Sequence, residues 1–347
     1  MHKDAFDSID ARLLGILQGE FPLVARPFDA IADALGIAPR DVIERVSRLK
    51  RESIIRQISA IFDSAALGYV STLVAFRVAP TELDRVAEQI SLHEGVSHCY
   101  SRDADYNLWF TLTASLGSDL DAEIAALAKL EGVQSHLILP ALKVYKIGVF
   151  LDVAGDARNR ENASFDGLRR RKRETQDRSG GSPCPPGDHG GSPLRVGDRA
   201  AVRALQKDLP IVESPFAELA RELEMSEDEL LARAKAFLES GVMRRYAAVL
   251  RHQRAGYRAN AMVCWQVELE RIDEAGAILA SHPAVSHCYQ RPASADWPYP
   301  LYTMVHCRDE AELERVIADL AASVGLTDFR ILRSIKEYKK SRVAYFE

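Results

Sequence analysis

Two histidines of this chain sit in matching surroundings. Val96-Ser97-His98-Cys99-Tyr100 runs up to Arg102, and Val285-Ser286-His287-Cys288-Tyr289 runs up to Arg291. An imidazole titrates near neutrality, a phenol donates a hydrogen bond, and a guanidinium grips a carboxylate through a fork of donors. On an extended strand, side chains alternate between faces, so His98, Tyr100 and Arg102 share one side, as do His287, Tyr289 and Arg291. Each row therefore offers proton transfer beside anion binding. A lone histidine of this kind is ordinarily a satisfied polar residue at a strand edge, but repetition beside Tyr and Arg favours a chemical role. Cys99 and Cys288 fall on the opposite faces and read as reduced packing residues, because the five cysteines contain no Cys-x-x-Cys pair.

The repetition extends well past the histidines. Pro27-Phe28 recurs as Pro215-Phe216 and Gly68-Tyr69 as Gly256-Tyr257, and Lys143-x-Tyr145-Lys146 is answered by Lys336-x-Tyr338-Lys339. The chain is an internal duplication. Each repeat opens with helices: Leu13, Leu14 and Leu17 recur at helical spacing, a second helix starts near Pro27 and is ended by Gly36, and a third runs from Pro39 to about Lys50. Ile54, Ile55, Ile58 and Ile61 then suit a wing-like strand, and Leu219, Leu223, Leu230, Leu231 and Val242 repeat the order. Alternation follows, with Val70, Thr72, Val74, Phe76 and Val78 on one face, and Val263, Trp265, Val267 and Leu269 on another. A helix from Thr81 to Leu92, the His strand, a strand from Tyr106 to Thr113, a helix near Leu120 to Leu130 and a last strand through Val144 complete β-α-β-β-α-β.

The fold class expected is α+β, with two tandem copies of a winged helix-turn-helix followed by a ferredoxin-like domain, arranged as a pseudo-dimer whose sheets face one another. The boundaries read as 1–62 and 63–151 for the first copy, 152–198 for a linker, and 199–251 and 252–347 for the second. The linker is rich in Gly, Pro, Ser and Arg, cannot build a core, and contains Arg169-Arg170-Arg171-Lys172-Arg173, read as a solvated run. The 347 residues are 47% hydrophobic, enough for several cores. No apolar run approaches a membrane span, and the start Met-His-Lys-Asp-Ala-Phe-Asp has no signal-peptide core, so a cytoplasmic protein is expected.

Helix-turn-helix architecture raises DNA binding first. A net charge of −5 gives it no support, and Glu222, Glu224, Glu227, Asp228 and Glu229 crowd the second recognition helix, where phosphates would approach. The first copy carries Arg40, Arg45, Arg48, Lys50 and Arg51, interrupted by Asp41 and Glu44. The order of elements resembles the Lrp/AsnC regulators. The motifs are more specific: Ser-His-Cys-Tyr-x-Arg followed by an aromatic strand is similar to the siroheme decarboxylases, which share that regulator fold. Both copies carry it. The first continues Asp105-Tyr106-Asn107-Leu108-Trp109-Phe110-Thr111, and the second Trp297-Pro298-Tyr299-Pro300-Leu301-Tyr302-Thr303. Arg244 to His252 resembles that family's basic stretch, whereas Pro300 departs from the Asn found at Asn107.

The resemblance implies loss of two acetate carboxyl groups, at C12 and C18 of siroheme, giving 12,18-didecarboxysiroheme and carbon dioxide within the formation of haem or of the nitrite-reductase haem. No cofactor or resident metal is then expected beyond the iron of the substrate. Siroheme is the expected partner, DNA and membrane are not, and further pairing of whole chains stays open. His287, Tyr289, His98 and Tyr100 are the candidate catalytic residues; a histidine would deliver the proton or ligate the iron, and the second row is preferred because the basic stretch belongs to that copy. Arg291, Arg245, Arg251, His252, Arg102, Trp109 and Tyr302 are candidate substrate contacts, with core packing an equal reading for the aromatic ones. Lys143, Lys146, Lys336 and Lys339 read as solvated strand ends. The competing functions are an Lrp/AsnC-type regulator and a non-catalytic tetrapyrrole carrier.

Overall fold

Helix boundaries follow the local signals closely. In the computed structural model, which describes residues 6–19, 21–115, 117–148, 151, 196–251 and 254–347, the first repeat opens with α1 (Ser8–Gln18), α2 (Pro27–Leu35) and α3 (Pro39–Arg51). Pro27 and Pro39 occupy first-turn positions where the missing N–H costs nothing. Gly36 stops α2 in the left-handed conformation, φ 71°, that a side chain would strain. Leu13, Leu14 and Leu17 are fully buried, worth about 1.5–3 kcal/mol each relative to exposure. The second repeat supplies α6 (Val196–Leu205), α7 (Pro215–Arg221) and α8 (Glu227–Ser240). The expected linker falls almost wholly on residues 152–195, outside those described.

The chain divides into two units, and each draws on both repeats: of the described residues, those within 1–67, 150–256 and 344–347 form one, and those within 68–149 and 257–343 the other. In the helical unit, the strand expected as a wing is β1 (Ile55–Phe62), and it makes no hairpin within its repeat. It pairs antiparallel with β7 (Met243–Leu250) of the other repeat, from Ile55 opposite Leu250 to Phe62 opposite Met243. The physical reason is burial: Ile55, Ile58 and Phe62 are covered in this two-stranded ribbon because helices of both repeats pack on it, cover that an isolated two-stranded wing lacks. Phe21 packs against Phe28, Phe216 and Tyr246 at centroid distances of 6.1, 6.4 and 5.4 Å, joining the repeats further.

The sheet unit contains β2 (Tyr69–Val78), α4 (Leu83–Leu92), β3 (Val96–Arg102), β4 (Leu108–Ser115), α5 (Leu120–Leu127), β5 (Val133–Pro140) and β6 (Lys143–Ile147). Its second repeat has β8 (Ala259–Trp265), α9 (Ile272–Ser281), β9 (Val285–Gln290), β10 (Leu301–Cys307), α10 (Glu310–Val324) and β11 (Phe329–Lys340). Val74, Phe76 and Val78 face α4 as expected, but Val70 is exposed; Leu269 leaves the predicted face because β8 ends at Trp265 and a 3-10 turn begins. On the faces away from the helices, the repeats meet: Ala75, Tyr106, Trp109 and Leu139 pack with Met262, Cys264, Trp297, Tyr302 and Leu332. That is the face-to-face pseudo-dimer.

The last strand divides its allegiance. The order is β5-β2-β4-β3-β11-β8-β10-β9-β6. After Pro140 the first repeat crosses over, so the expected terminal strand through Val144 is β6, paired with β9 of the other repeat. In the second repeat β11 runs on, Phe329–Arg333 against β8 and Ser334–Lys340 against β3. This exchange leaves Lys143 and Lys336 half-solvated, as read from the sequence, but corrects that reading for Lys146 and Lys339. Lys143 and the Tyr145 hydroxyl both bond Asp273 at 2.6 Å, and Lys336 and Tyr338 hold Asp84 in the same way. Lys146 and Lys339 donate to the carbonyls of His282 and His93, each at 2.9 Å. Each Lys-x-Tyr-Lys motif clamps the helix of the opposite repeat.

Candidate active site

A one-residue bulge sets the face of each histidine row. Pairing slips between Val96 and His98 on β3, and at the matching place on β9, between Val285 and His287. Val96 and Cys99 can then both enter the helix-side core while His98, Tyr100 and Arg102 point to the other face. Cys99 and Cys288 contact the Ala87 and Gly276 carbonyls on that helix side, and burial pushes their thiols up to about 11 and about 12.

Along each row the three groups touch one after another. His98 stacks on Tyr100 at 6.3 Å between centroids and His287 on Tyr289 at 6.0 Å, with ring planes 25° and 21° apart. The Arg102 guanidinium lies 5.7 Å from the Tyr100 ring, and that of Arg291 lies 4.9 Å from Tyr289 and 5.7 Å from Tyr302. Ser97 Oγ meets His98 Nδ1 at 3.0 Å and Ser286 Oγ meets His287 Nδ1 at 2.9 Å. The repeated Ser-His pair is the sequence signal for these serines, which strand alternation alone assigns to the opposite face.

The arginines cross between repeats. Arg102 donates to the Leu332 carbonyl at 2.9 Å and to Ser334 Oγ at 3.2 Å, and Arg291 donates to the Leu139 carbonyl. Neither is hydrogen-bonded or ion-paired to a carboxylate among the described residues, Asp103 acting on Arg102 only through space, and the Nε of each is buried without a hydrogen bond. Burial drives the Arg102 guanidinium down to about 10, and Arg291 moves the same way for the same reason. A buried cation without a counter-charge is costly, and an arriving carboxylate offsets that cost.

Trp109 and Tyr302 share these faces, directly across from Tyr100 and Tyr289, but are only 1% and 2% exposed. Trp109 Nε1 donates to the Tyr106 carbonyl at 2.6 Å, and the Tyr302 hydroxyl accepts from Trp297 Nε1 at 2.9 Å. Both are packing residues here; Trp265 lies in the helix-side core. Asn107 brackets the Val78 backbone with two hydrogen bonds, 2.9 and 2.8 Å, so its amide fixes the strand end; Pro300 at the matching place supplies only its carbonyl, to the Arg291 N–H. The structure thus brings together His98, Tyr100, Arg102 and Trp109, and His287, Tyr289, Arg291 and Tyr302. Arg245 and Arg251 belong to the helical unit, where Arg245 is lowered by burial, Arg251 is exposed past the end of β7, and the neighbouring Arg244 is paired with Asp63 at 2.8 Å. His252 lies outside the described residues.

Residues 66–146 and 254–339 match the AsnC-like ligand binding domain, and residues 10–56 and 198–244 match the siroheme decarboxylase NirDL-like HTH domain. The chain is 37% identical to a siroheme decarboxylase of Hydrogenobacter thermophilus, over 96% of this chain and 94% of that one. The chain belongs to the siroheme decarboxylase family. It is also 32% identical to the siroheme decarboxylase NirDL subunit of Paracoccus denitrificans, across 96% of each. A crystal structure of the siroheme decarboxylase NirDL superposes with a TM-score of 0.72 at 32% identity, covering 98% of this chain and 95% of that one. A second crystal structure of NirDL, in co-complex with an iron-uroporphyrin III analogue, gives 0.71 at the same identity and coverage.

Proposed function

We propose that this chain is a carboxy-lyase that converts siroheme to 12,18-didecarboxysiroheme, a step toward haem or the nitrite-reductase haem. Family membership across nearly the whole chain supports the reading, and the observation that carries it is the pair of guanidiniums, each with a buried and unsatisfied Nε and no carboxylate bonded to it among the described residues, at one end of a His-Tyr row. Siroheme bears several carboxylates on a flat ring. A row from His to Arg spans roughly 13 Å, comparable with that ring, so one strand reaches both ring and periphery.

Each acetate loses carbon dioxide and gains a proton to become a methyl group. The bond between the methylene and the carboxyl carbon breaks, and its electron pair enters the macrocycle, which acts as the sink once protonated. The pair returns to the exocyclic carbon when that carbon takes its proton, and the macrocycle releases the one it held; one proton is consumed per carbon dioxide. The serine contact orients each imidazole through Nδ1, and the imidazole exchanges the proton with the substrate. The phenol stacked beside it orients or relays that proton. Arg291 and Arg102 serve the carboxylates that remain, since gripping the departing one would stabilise the ground state. The iron is part of the substrate, no added cofactor is required, and a histidine that ligated it would be withdrawn from proton transfer.

A regulator is disfavoured by the first recognition helix. Arg40 pairs with Glu44, Arg45 with Asp7 and Asp10, Arg48 with Asp10 and Glu52, and Lys50 with Asp208. Most of its cations are already neutralised by carboxylates. No helix among the described residues is long and apolar enough to cross a membrane.

Anaerobic incubation with siroheme, followed by mass spectrometry, tests the reading. Two successive losses of carbon dioxide are expected, slowed by roughly 10²–10⁴ when the catalytic imidazole is removed by His287→Ala or His98→Ala. Siroheme bound but unchanged by the wild-type chain would identify a carrier instead.

A further inference from the structure

The two histidine rows are alike in their own strands and unlike in the strand beside them. Because the terminal strands are exchanged, each row is flanked by the other repeat. Ile147 lies opposite His287 and Val144 opposite Tyr289, whereas Lys340 lies opposite His98 and Glu337 opposite Tyr100. Directly opposed residues of an antiparallel pair project to the same face. The intervening residues confirm the sense: Lys146 and Lys339 reach helix-side carbonyls, and Tyr145 and Tyr338 reach helix-side aspartates. Val144 and Ile147 therefore extend the second row's face with apolar surface, Val144 being 42% exposed. Glu337 and Lys340 extend the first row's face with an ion pair 3.9 Å apart, their side chains 49% and 30% exposed.

Given the siroheme reading, on which this step rests, we infer that the second row, completed by Val144 and Ile147 of the first repeat, is the site that accepts the tetrapyrrole. The ring face of the substrate is apolar and its rim anionic. Laying the ring on Val144 and Ile147 removes apolar surface from water on both sides. Laying it on the first row strips water from an ion pair in which Glu337, set against the substrate carboxylates, offsets the attraction of Lys340. Arg102 stands ready in the first row, but the flank works against it. Val144 and Ile147 are thus specificity-determining residues, contributed by the repeat that does not carry the working histidine.

The test exchanges the flanks in the full chain and titrates siroheme anaerobically, following absorbance for stoichiometry and mass spectrometry for turnover. The wild-type chain is expected to bind a single equivalent. Val144→Glu with Ile147→Lys should weaken binding roughly tenfold or more and lower turnover with it. The milder Val144→Ser with Ile147→Ser should act in the same direction, and its thermal transition checks that the fold persists. Glu337→Val with Lys340→Ile should add a second equivalent of bound siroheme. Full affinity and turnover in both Val144/Ile147 variants, with loss of both in the Glu337/Lys340 variant, would reverse the assignment and overturn the inference while leaving the lyase reading intact. A wild-type chain that neither binds nor converts siroheme would overturn the lyase reading and this inference with it.

Discussion

Replacing Arg291 with methionine separates a substrate grip from a structural strut, because the two roles predict opposite balances. In the unliganded chain the guanidinium makes one hydrogen bond, to the Leu139 carbonyl, and packs 4.9 and 5.7 Å from two tyrosine rings. Losing the bond, whose donor is charged, costs about 1.5–3 kcal/mol, and losing the desolvated ring contacts about 1–2 kcal/mol. Against this, Arg291→Met removes a buried charge that has no carboxylate partner among the described residues and whose Nε is unsatisfied, a relief of similar or greater size. The stability of the unliganded chain should therefore change by less than about 2 kcal/mol, in either direction. Siroheme binding has no such compensation. A charge-assisted hydrogen bond to a carboxylate is worth about 1.5–3 kcal/mol, so the dissociation constant should rise about 10- to 150-fold. If the arginine holds a carboxylate that stays, KM should rise with kcat nearly constant. Urea unfolding of the unliganded chain, siroheme titration and steady-state kinetics measure the three quantities. A loss of more than about 3 kcal/mol in stability with unchanged siroheme affinity would refute the reasoning and make Arg291 a strut between repeats.

Other consequences follow from the exchanged strands and the buried thiols. A Cβ at Gly276 would lie 2.6–2.8 Å from the Tyr145 ring, so Gly276→Ala should destabilise the chain by about 1–3 kcal/mol in urea unfolding, whereas the matching first-repeat position already carries Ala87. Asp273 and Asp84 are held below their ordinary 3.8, chiefly by hydrogen bonds from Lys143 and Lys336. Stability from these clamps is complete above that value and lost as pH falls through the lowered ones; an acid titration of a Lys143→Met/Lys336→Met chain should lose this acid-side component. Burial raises the thiols of Cys99, Cys264, Cys288 and Cys307; with the fifth cysteine, Cys184, which lies outside the described residues, replaced by Ser, the chain should react with a thiol reagent at pH 8 only on unfolding, and rapid native labelling would show that one of these cores opens.

Local order was legible in the residues themselves. Apolar spacing, two prolines and Gly36 placed α2 and α3 within a residue or two, and alternation put His98, Tyr100 and Arg102 on one face, as it did for His287, Tyr289 and Arg291. The repeat itself announced a pseudo-dimer, and the Ser-His-Cys-Tyr-x-Arg motifs pointed to the family. These features depend on backbone geometry within a few residues, which side-chain period reports directly.

Tertiary structure decided what lies beside each row. Nothing in Ile54 to Ile61 distinguishes a wing from a ribbon with the other repeat, and nothing in Lys143 to Ile147 says that it leaves its own sheet for β9. Those choices depend on hydrogen-bond ladders between strands distant in sequence, and on which apolar faces they cover together. The same exchange lets Arg102 reach Leu332 and Arg291 reach Leu139, sets Glu337 beside Tyr100, and sets Val144 beside Tyr289. The sequence by itself determined the chemistry of each strand, because alternation is local. Only the fold decided the neighbours of that chemistry, because strand partners are selected by the packing of the whole sheet.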